Sequence, residues 1–225
     1  MPGIQESYFS QWKTVLDFNE LQRLTPIIIN LYQKAETCPM IQDIFKAFNL
    51  CEYQNLKAVF LGMDPYPQKG VATGILFGNK PDTRNISPSL EIIREAVIDY
   101  SCPTDSKKFD ITLESWCRQG VLMLNSALTV ECNKPGSHTL LWRQFISKLL
   151  INLSIYQPGL PYVLFGKTAQ TFTRYINKEQ NLVIEAPHPA YLARNGGKLD
   201  SRIFEDVNIF ITKHNGEPIK WFTEI

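Results

Sequence analysis

Residues 57–77 read KAVFLGMDPYPQKGVATGILF. The first five are an apolar run of strand length. Gly62, Pro65 and Pro67 then stop it, because proline cannot donate to a sheet ladder and glycine weakens a strand interior. Asp64 and Tyr66 therefore project from a turn at the carboxyl end of a predicted buried strand. In open α/β sheets, ligands bind along that edge.

Three further short apolar runs follow, at 121–124 (VLML), 162–165 (YVLF) and 182–185 (LVIE). Helical spacing separates them over 89–100 and 140–153, where Leu140, Leu141, Phe145, Leu149, Leu150 and Leu153 recur at three- and four-residue intervals. Alternating strands and helices imply βαβ units with right-handed crossovers. The expected fold is α/β, a single domain over 1–225 with a central four-stranded, mostly parallel twisted sheet flanked by helices on both faces. Residues 1–50 read as a largely helical N-terminal portion with Phe18, Leu21, Leu24, Ile27, Ile28 and Leu31 as one apolar stripe. A chain of 225 residues with 44% hydrophobic composition suits one core, and no repeat or Gly/Pro/Ser-rich linker divides it.

The opening residues show no basic segment followed by an apolar one, and no stretch approaches the roughly 18 apolar residues of a membrane span. The expectation is a soluble intracellular protein, cytoplasmic, or nuclear or in a viral factory if the source is eukaryotic or viral. Five cysteines, Cys38, Cys51, Cys102, Cys117 and Cys132, are widely spaced, with no CxxC pair and no zinc spacing, and read as reduced thiols. The net charge of +1 carries no global signature of a polyanion partner. Its distribution is uneven: residues 1–112 hold 11 Lys/Arg against 13 Asp/Glu, whereas 132–198 hold 8 against 2. A polyanion would dock on the later half.

Each strand is followed by different polar chemistry: GMDPYP after the first, Asn125-Ser126 after the second, Gly166-Lys167-Thr168 after the third and Pro187-His188-Pro189 after the fourth. A carboxylate, an amide and an imidazole on one rim suit a concave site with an electrostatic anchor, a hydrogen-bond reader and a proton handler. Taken singly, Asp64 serves equally as a turn cap and His188 as a core histidine.

Five segments occur in an order that resembles the family-1 uracil-DNA glycosylases, over about residues 50–210. GMDPYP is similar to that family's water-activating GQDPYH loop, ATGILF to the segment bearing its base-stacking Phe, and ISPSL to its proline-serine loop. VLMLNSALTV resembles LLLNxxLTV, and HPAYLAR resembles HPSPLS. The GMDPYP form and the stretch SHTLLWRQFISKLL look closer to the divergent poxvirus members. The resemblance implies a monofunctional glycosylase that flips uracil out of DNA and hydrolyses its N-glycosidic bond, with no cofactor and no metal.

It also implies roles for named residues. Asp64 orients water and stabilises the sugar cation, and His188 donates to uracil O2. Met63, through its backbone N–H, Tyr66, Phe77 and Asn125 bind the base, with Tyr66 against a thymine methyl, Phe77 as stacking face and Asn125 pairing O4 and N3–H. Leu192 is the wedge that enters the duplex, and Ser89, Ser137, His138, Lys167, Arg194 and Lys198 contact the DNA backbone. The implied partners are uracil-containing DNA, single- or double-stranded, and a proteinaceous inhibitor or replication partner; the chain is expected to be a monomer with no membrane partner.

The pattern departs at Met63 and Pro67, which replace Gln and His of GQDPYH, and at Ala190 and Ala193, which replace two serines of HPSPLS. Pro67 can donate no hydrogen bond in place of the histidine. The alternative function is therefore a DNA-binding replication or processivity accessory protein with weak or absent glycosylase activity. An α/β hydrolase or nucleotide enzyme has no motif behind it, lacking both a G-x-S-x-G elbow and a P-loop.

Overall fold

Gly62 pairs with Asn125 in the last rung of a parallel ladder, so the first predicted strand and the second end side by side. The computed structural model describes residue 9 and residues 11–101, 107–214 and 216–224. In chain order the strands are β1 (Thr37–Cys38), β2 (Ala58–Gly62), β3 (Lys107–Lys108), β4 (Val121–Asn125), β5 (Val130–Glu131), β6 (Pro161–Phe165), β7 (Leu182–Ala186) and β8 (Thr223–Glu224). The helices are α1 (Phe18–Lys34), α2 (Lys46–Leu50), α3 (Pro88–Ser101), α4 (Glu114–Arg118), α5 (Thr139–Tyr156), α6 (Gly166–Gln170), α7 (Pro189–Asn195) and α8 (Arg202–Lys213).

The expected four-stranded sheet is present in the order β4-β2-β6-β7, and all three pairings are parallel. Strands β2, β4 and β6 are buried along their whole length, as parallel strands covered on both faces must be. Their side chains alternate between two apolar clusters. Val59, Leu61, Leu122, Leu124, Tyr162 and Leu164 point to one face, which α1, α2 and α5 cover. Ala58, Phe60, Val121, Met123, Val163 and Phe165 point to the other, under α3, α4, α7 and α8. This period of two is the pleat itself.

The N-terminal portion contains α1 and α2, with Leu21, Leu24 and Ile28 of the expected stripe buried and Ile27 and Leu31 partly so. Asp17 caps α1, its carboxylate accepting from the Glu20 N–H at 3.1 Å, and it also pairs with Lys148 of α5. Two small antiparallel ladders, β1 with β5 and β3 with β8, have no counterpart in the sequence reading. Two-residue strands are too short to show a period. Among the described residues no helix is long and apolar enough to cross a membrane.

Candidate active site at the carboxyl edge of the sheet

The loops after β2 and β4 are laced together. The Gly62 carbonyl accepts from the Ser126 N–H at 3.0 Å, and the Met63 carbonyl accepts from the Ala127 N–H and the Ser126 hydroxyl, both at 2.9 Å. Gly62 has no room for a side chain: a Cβ there would stand 2.3 Å from Leu76 Cδ1 and 2.9 Å from Asn125 Oδ1. A side chain at this position would have to displace Leu76 and the Asn125 amide.

Asp64 is half-buried, and its Oδ2 accepts from the Gly136 N–H at 2.5 Å. Burial holds its carboxyl above the ordinary value, and the Gly136 bond acts the other way. Two residues on, the Tyr66 hydroxyl lies 2.5 Å from Ser87 Oγ and donates to the Phe77 carbonyl at 3.2 Å. Burial raises this phenol to about 12, so it stays neutral.

Phe77 adopts φ = 60°, a left-handed conformation uncommon for an aromatic residue and typical of sites where geometry outranks local strain. Its ring meets Phe165 edge-on at 5.2 Å and the His188 ring at 5.6 Å. Asn125 is buried, 8% exposed, and its Oδ1 makes no hydrogen bond within the chain. A buried amide oxygen without a donor is costly, on the order of 1–3 kcal/mol.

His188 is the N-cap of α7, and its Nδ1 accepts from the Ala190 N–H at 3.1 Å. A backbone N–H only donates, so Nδ1 is unprotonated and the neutral ring carries its proton on Nε2. Burial, and after it the Arg194 charge, depress the imidazole pKa and favour that neutral form. Gly166, at φ = 84°, lies beneath the ring, where a Cβ would come 2.8 Å from His188 Cβ.

The rim therefore holds a carboxylate, a neutral N–H donor, an unpaired amide and an aromatic face. Residues 48–211, which contain all five motifs, match the family model described as "Uracil DNA glycosylase superfamily". The chain belongs to the uracil-DNA glycosylase superfamily. It is 38% identical over 185 residues to a uracil-DNA glycosylase of Yersinia pseudotuberculosis, covering 81% of this chain and 80% of that one. The Buchnera aphidicola uracil-DNA glycosylase is 34% identical over 220 residues, covering 94% of this chain and 97% of its own. Among solved structures, mimivirus uracil-DNA glycosylase has a similar fold, with a TM-score of 0.82 at 22% identity, covering 97% of this chain and 90% of that one. A form of the mimivirus enzyme is also known in complex with UGI.

Of the residues expected to meet DNA, three are buried in the structure. Ser89 is 4% exposed and stands behind Tyr66 on α3, and His138 is 7% exposed with its Nδ1 2.9 Å from Thr129 Oγ1, which accepts from the Trp142 indole at 2.8 Å. Both hydrogen-bonding side chains face the interior in this conformation. Leu192 is 9% exposed and packs into the cluster under α3 and α8, so in this conformation it is no free wedge. The exposed large side chain of that turn is Tyr191, at 57%.

Lys167, Arg194 and Ser137 are exposed, although Ser137 Oγ already accepts from the Glu131 N–H at 2.9 Å. Lys198 lies 4.0 Å from Asp99. The Pro67 carbonyl accepts from the Asn133 N–H at 2.9 Å. Gly136, Ser87 and Gly166 also shape the site, through backbone or a single hydroxyl, although none of them is among the expected site residues. Their signal was only adjacency, Gly136 to Ser137-His138, Ser87 to Ser89 and Gly166 to Lys167.

Proposed function

We propose that this chain hydrolyses the N-glycosidic bond of uracil in DNA, taking the base out of the stack and leaving an abasic site. The observation that carries the reading is Asn125 Oδ1, buried, unpaired and at the strand end beside the Asp64 loop. An N–H donor on a planar base satisfies it, and uracil N3–H is such a donor, while the Asn125 amide N–H suits O4. Cytosine presents a bare N3 and an amino group, the reverse pattern.

The remaining groups then fall into roles. The C1′–N1 bond breaks with its electron pair leaving on the uracil ring, where the His188 Nε2–H donates to O2 as charge develops. A neutral donor suffices there because the ring anion is delocalised. Asp64 faces the cation forming at the sugar and takes the proton of the water whose oxygen bonds to C1′. Phe77 supplies the stacking face, worth about 1–3 kcal/mol for a base. Tyr66, clamped through its hydroxyl by Ser87 and Phe77, is a rigid wall against a C5 methyl.

On the DNA side, Lys167 and Arg194 are exposed cations suited to phosphates, and Tyr191 takes the inserting role that buried Leu192 does not fill. A proteinaceous inhibitor is a further partner; the UGI complex of the mimivirus relative supports that reading. The test is release of free base from uracil-containing oligonucleotides in the presence of a chelator. Uncut DNA after long incubation at high enzyme concentration would instead favour the accessory-protein role.

A further inference from the structure

Cys38 and Cys132 are 94 residues apart in the chain, yet their sulfurs lie 3.0 Å apart. The β1–β5 ladder brings them together: Cys38 pairs with Val130, and the Cys132 N–H donates to the Glu36 carbonyl at 2.8 Å, which makes the two thiols diagonal neighbours. Both are free. Cys38 is buried and faces the carbonyls of Pro67 and Gln68, at 3.9 and 3.7 Å, on the loop that carries Asp64. Cys132 is partly exposed and opens the turn that runs to Gly136. In that turn the Asn133 N–H holds Pro67 and the Gly136 N–H holds Asp64.

We propose that Cys38 and Cys132 are an oxidisable dithiol, converted by a peroxide to a disulfide that displaces Asp64 and slows base release. The second half of this statement rests on the glycosylase reading above. Cys132, the accessible thiol, attacks the peroxide; the O–O bond breaks, Cys132 becomes a sulfenic acid and water (or an alcohol) leaves. Cys38 sulfur then attacks that sulfenic sulfur, the S–S bond forms, the S–O bond breaks and the second water leaves with the Cys38 proton. Two thiols lose two electrons and two protons, and the peroxide is reduced. Burial raises the Cys38 thiol to about 12, which disfavours its thiolate as the first attacker on peroxide.

The coupling to catalysis is mechanical. Closing the bond draws the sulfurs together by about 1 Å and removes the Cys38 S–H that faces the Pro67 and Gln68 carbonyls. The 132–136 turn is tied to Pro67 and Asp64 by two backbone N–H donors, so it transmits the shift to the carboxylate. A misplacement of about 1 Å in a reacting group is enough to lower rates by up to about 100-fold.

The test uses the full chain with Cys102→Ser, so that the thiol outside the described residues takes no part. Uracil release by the reduced protein is measured first, and its absence sinks the glycosylase reading without touching the dithiol. Hydrogen peroxide is then added, and intact mass, peptide mapping and kinetics are followed with and without dithiothreitol. The expected result is loss of two hydrogens, a Cys38–Cys132 peptide and a reversible fall in kcat of about tenfold or more. Cys132→Ser keeps the basal rate and resists peroxide. Oxygen adducts without a crosslink, a crosslink that leaves kcat unchanged, or inactivation that persists in Cys132→Ser would each overturn the proposal. Cys51 and Cys117, both fully buried, are the internal control and remain thiols.

Discussion

The Gly136 N–H donates to Asp64 Oδ2 at 2.5 Å, across 72 residues of chain. That bond fixes the carboxylate between the β2 loop and the turn before α5, and it works only because Gly136 takes φ = 81°. Alanine there incurs roughly 1–2 kcal/mol of left-handed strain, and its Cβ would come 3.1 Å from Met63 Cε. Gly136→Ala should therefore lower kcat by about tenfold or more with a smaller change in KM. Steady-state kinetics beside a denaturant titration separates the two effects; a wild-type kcat would show that the bond does not position Asp64.

Asp64 should trade stability for activity. Its folded pKa is raised, so its contribution to stability is favourable below the ordinary carboxylate value and is lost as pH rises through the folded one. At neutral pH the ionised group is a standing cost. Asp64→Asn removes that charge while keeping an oxygen to accept from Gly136. The expected outcome is a higher Tm at pH 7 together with a rate loss on the order of 10²–10³. An unchanged or lower Tm would contradict the burial argument.

Two groups set the acid side of the pH profile. Base release needs Asp64 ionised and His188 neutral, and acid removes both. His188 is depressed below its ordinary 6.5, and Asp64 is raised above its ordinary 3.8. The acid limb of kcat/KM should therefore fall between those two values. For stability, His188 contributes fully above 6.5 and loses that contribution as pH falls through its lower folded value, since the unfolded chain takes up the proton first. Activity that instead falls as pH rises through the imidazole range would mean that the imidazole works as a cation.

Tyr191 and Leu192 are adjacent but differ in exposure, 57% against 9%. Leu192→Ala should lower stability by about 2–4 kcal/mol, the usual range for a buried leucine. Tyr191→Ala should leave Tm unchanged and slow uracil release from duplex DNA several-fold more than from single strands. Equal effects on both substrates would remove Tyr191 from base extrusion.

Much of the sheet was legible because buried parallel strands read as uninterrupted apolar runs and the long helices as three- and four-residue recurrence. Asp64, Asn125 and His188 were legible because each stands directly after such a run. What stayed hidden depends on exposure and on contacts between distant segments. Ser89, His138 and Leu192 occupy family positions, yet here they are buried, which no motif states. Cys38 meets Cys132 through a ladder of two-residue strands, and Gly136 acts through its backbone. Neither leaves a periodic trace in the sequence.

Base discrimination in a single oligonucleotide context tests the central claim most directly. Uracil, thymine and cytosine are placed at the same position, a chelator is present, and free base is measured for the wild-type chain and Asp64→Asn. The expected result is release of uracil alone, reduced on the order of 10²-fold or more in Asp64→Asn. No uracil release, or thymine released as readily as uracil, would contradict the roles given to Asn125 and Tyr66.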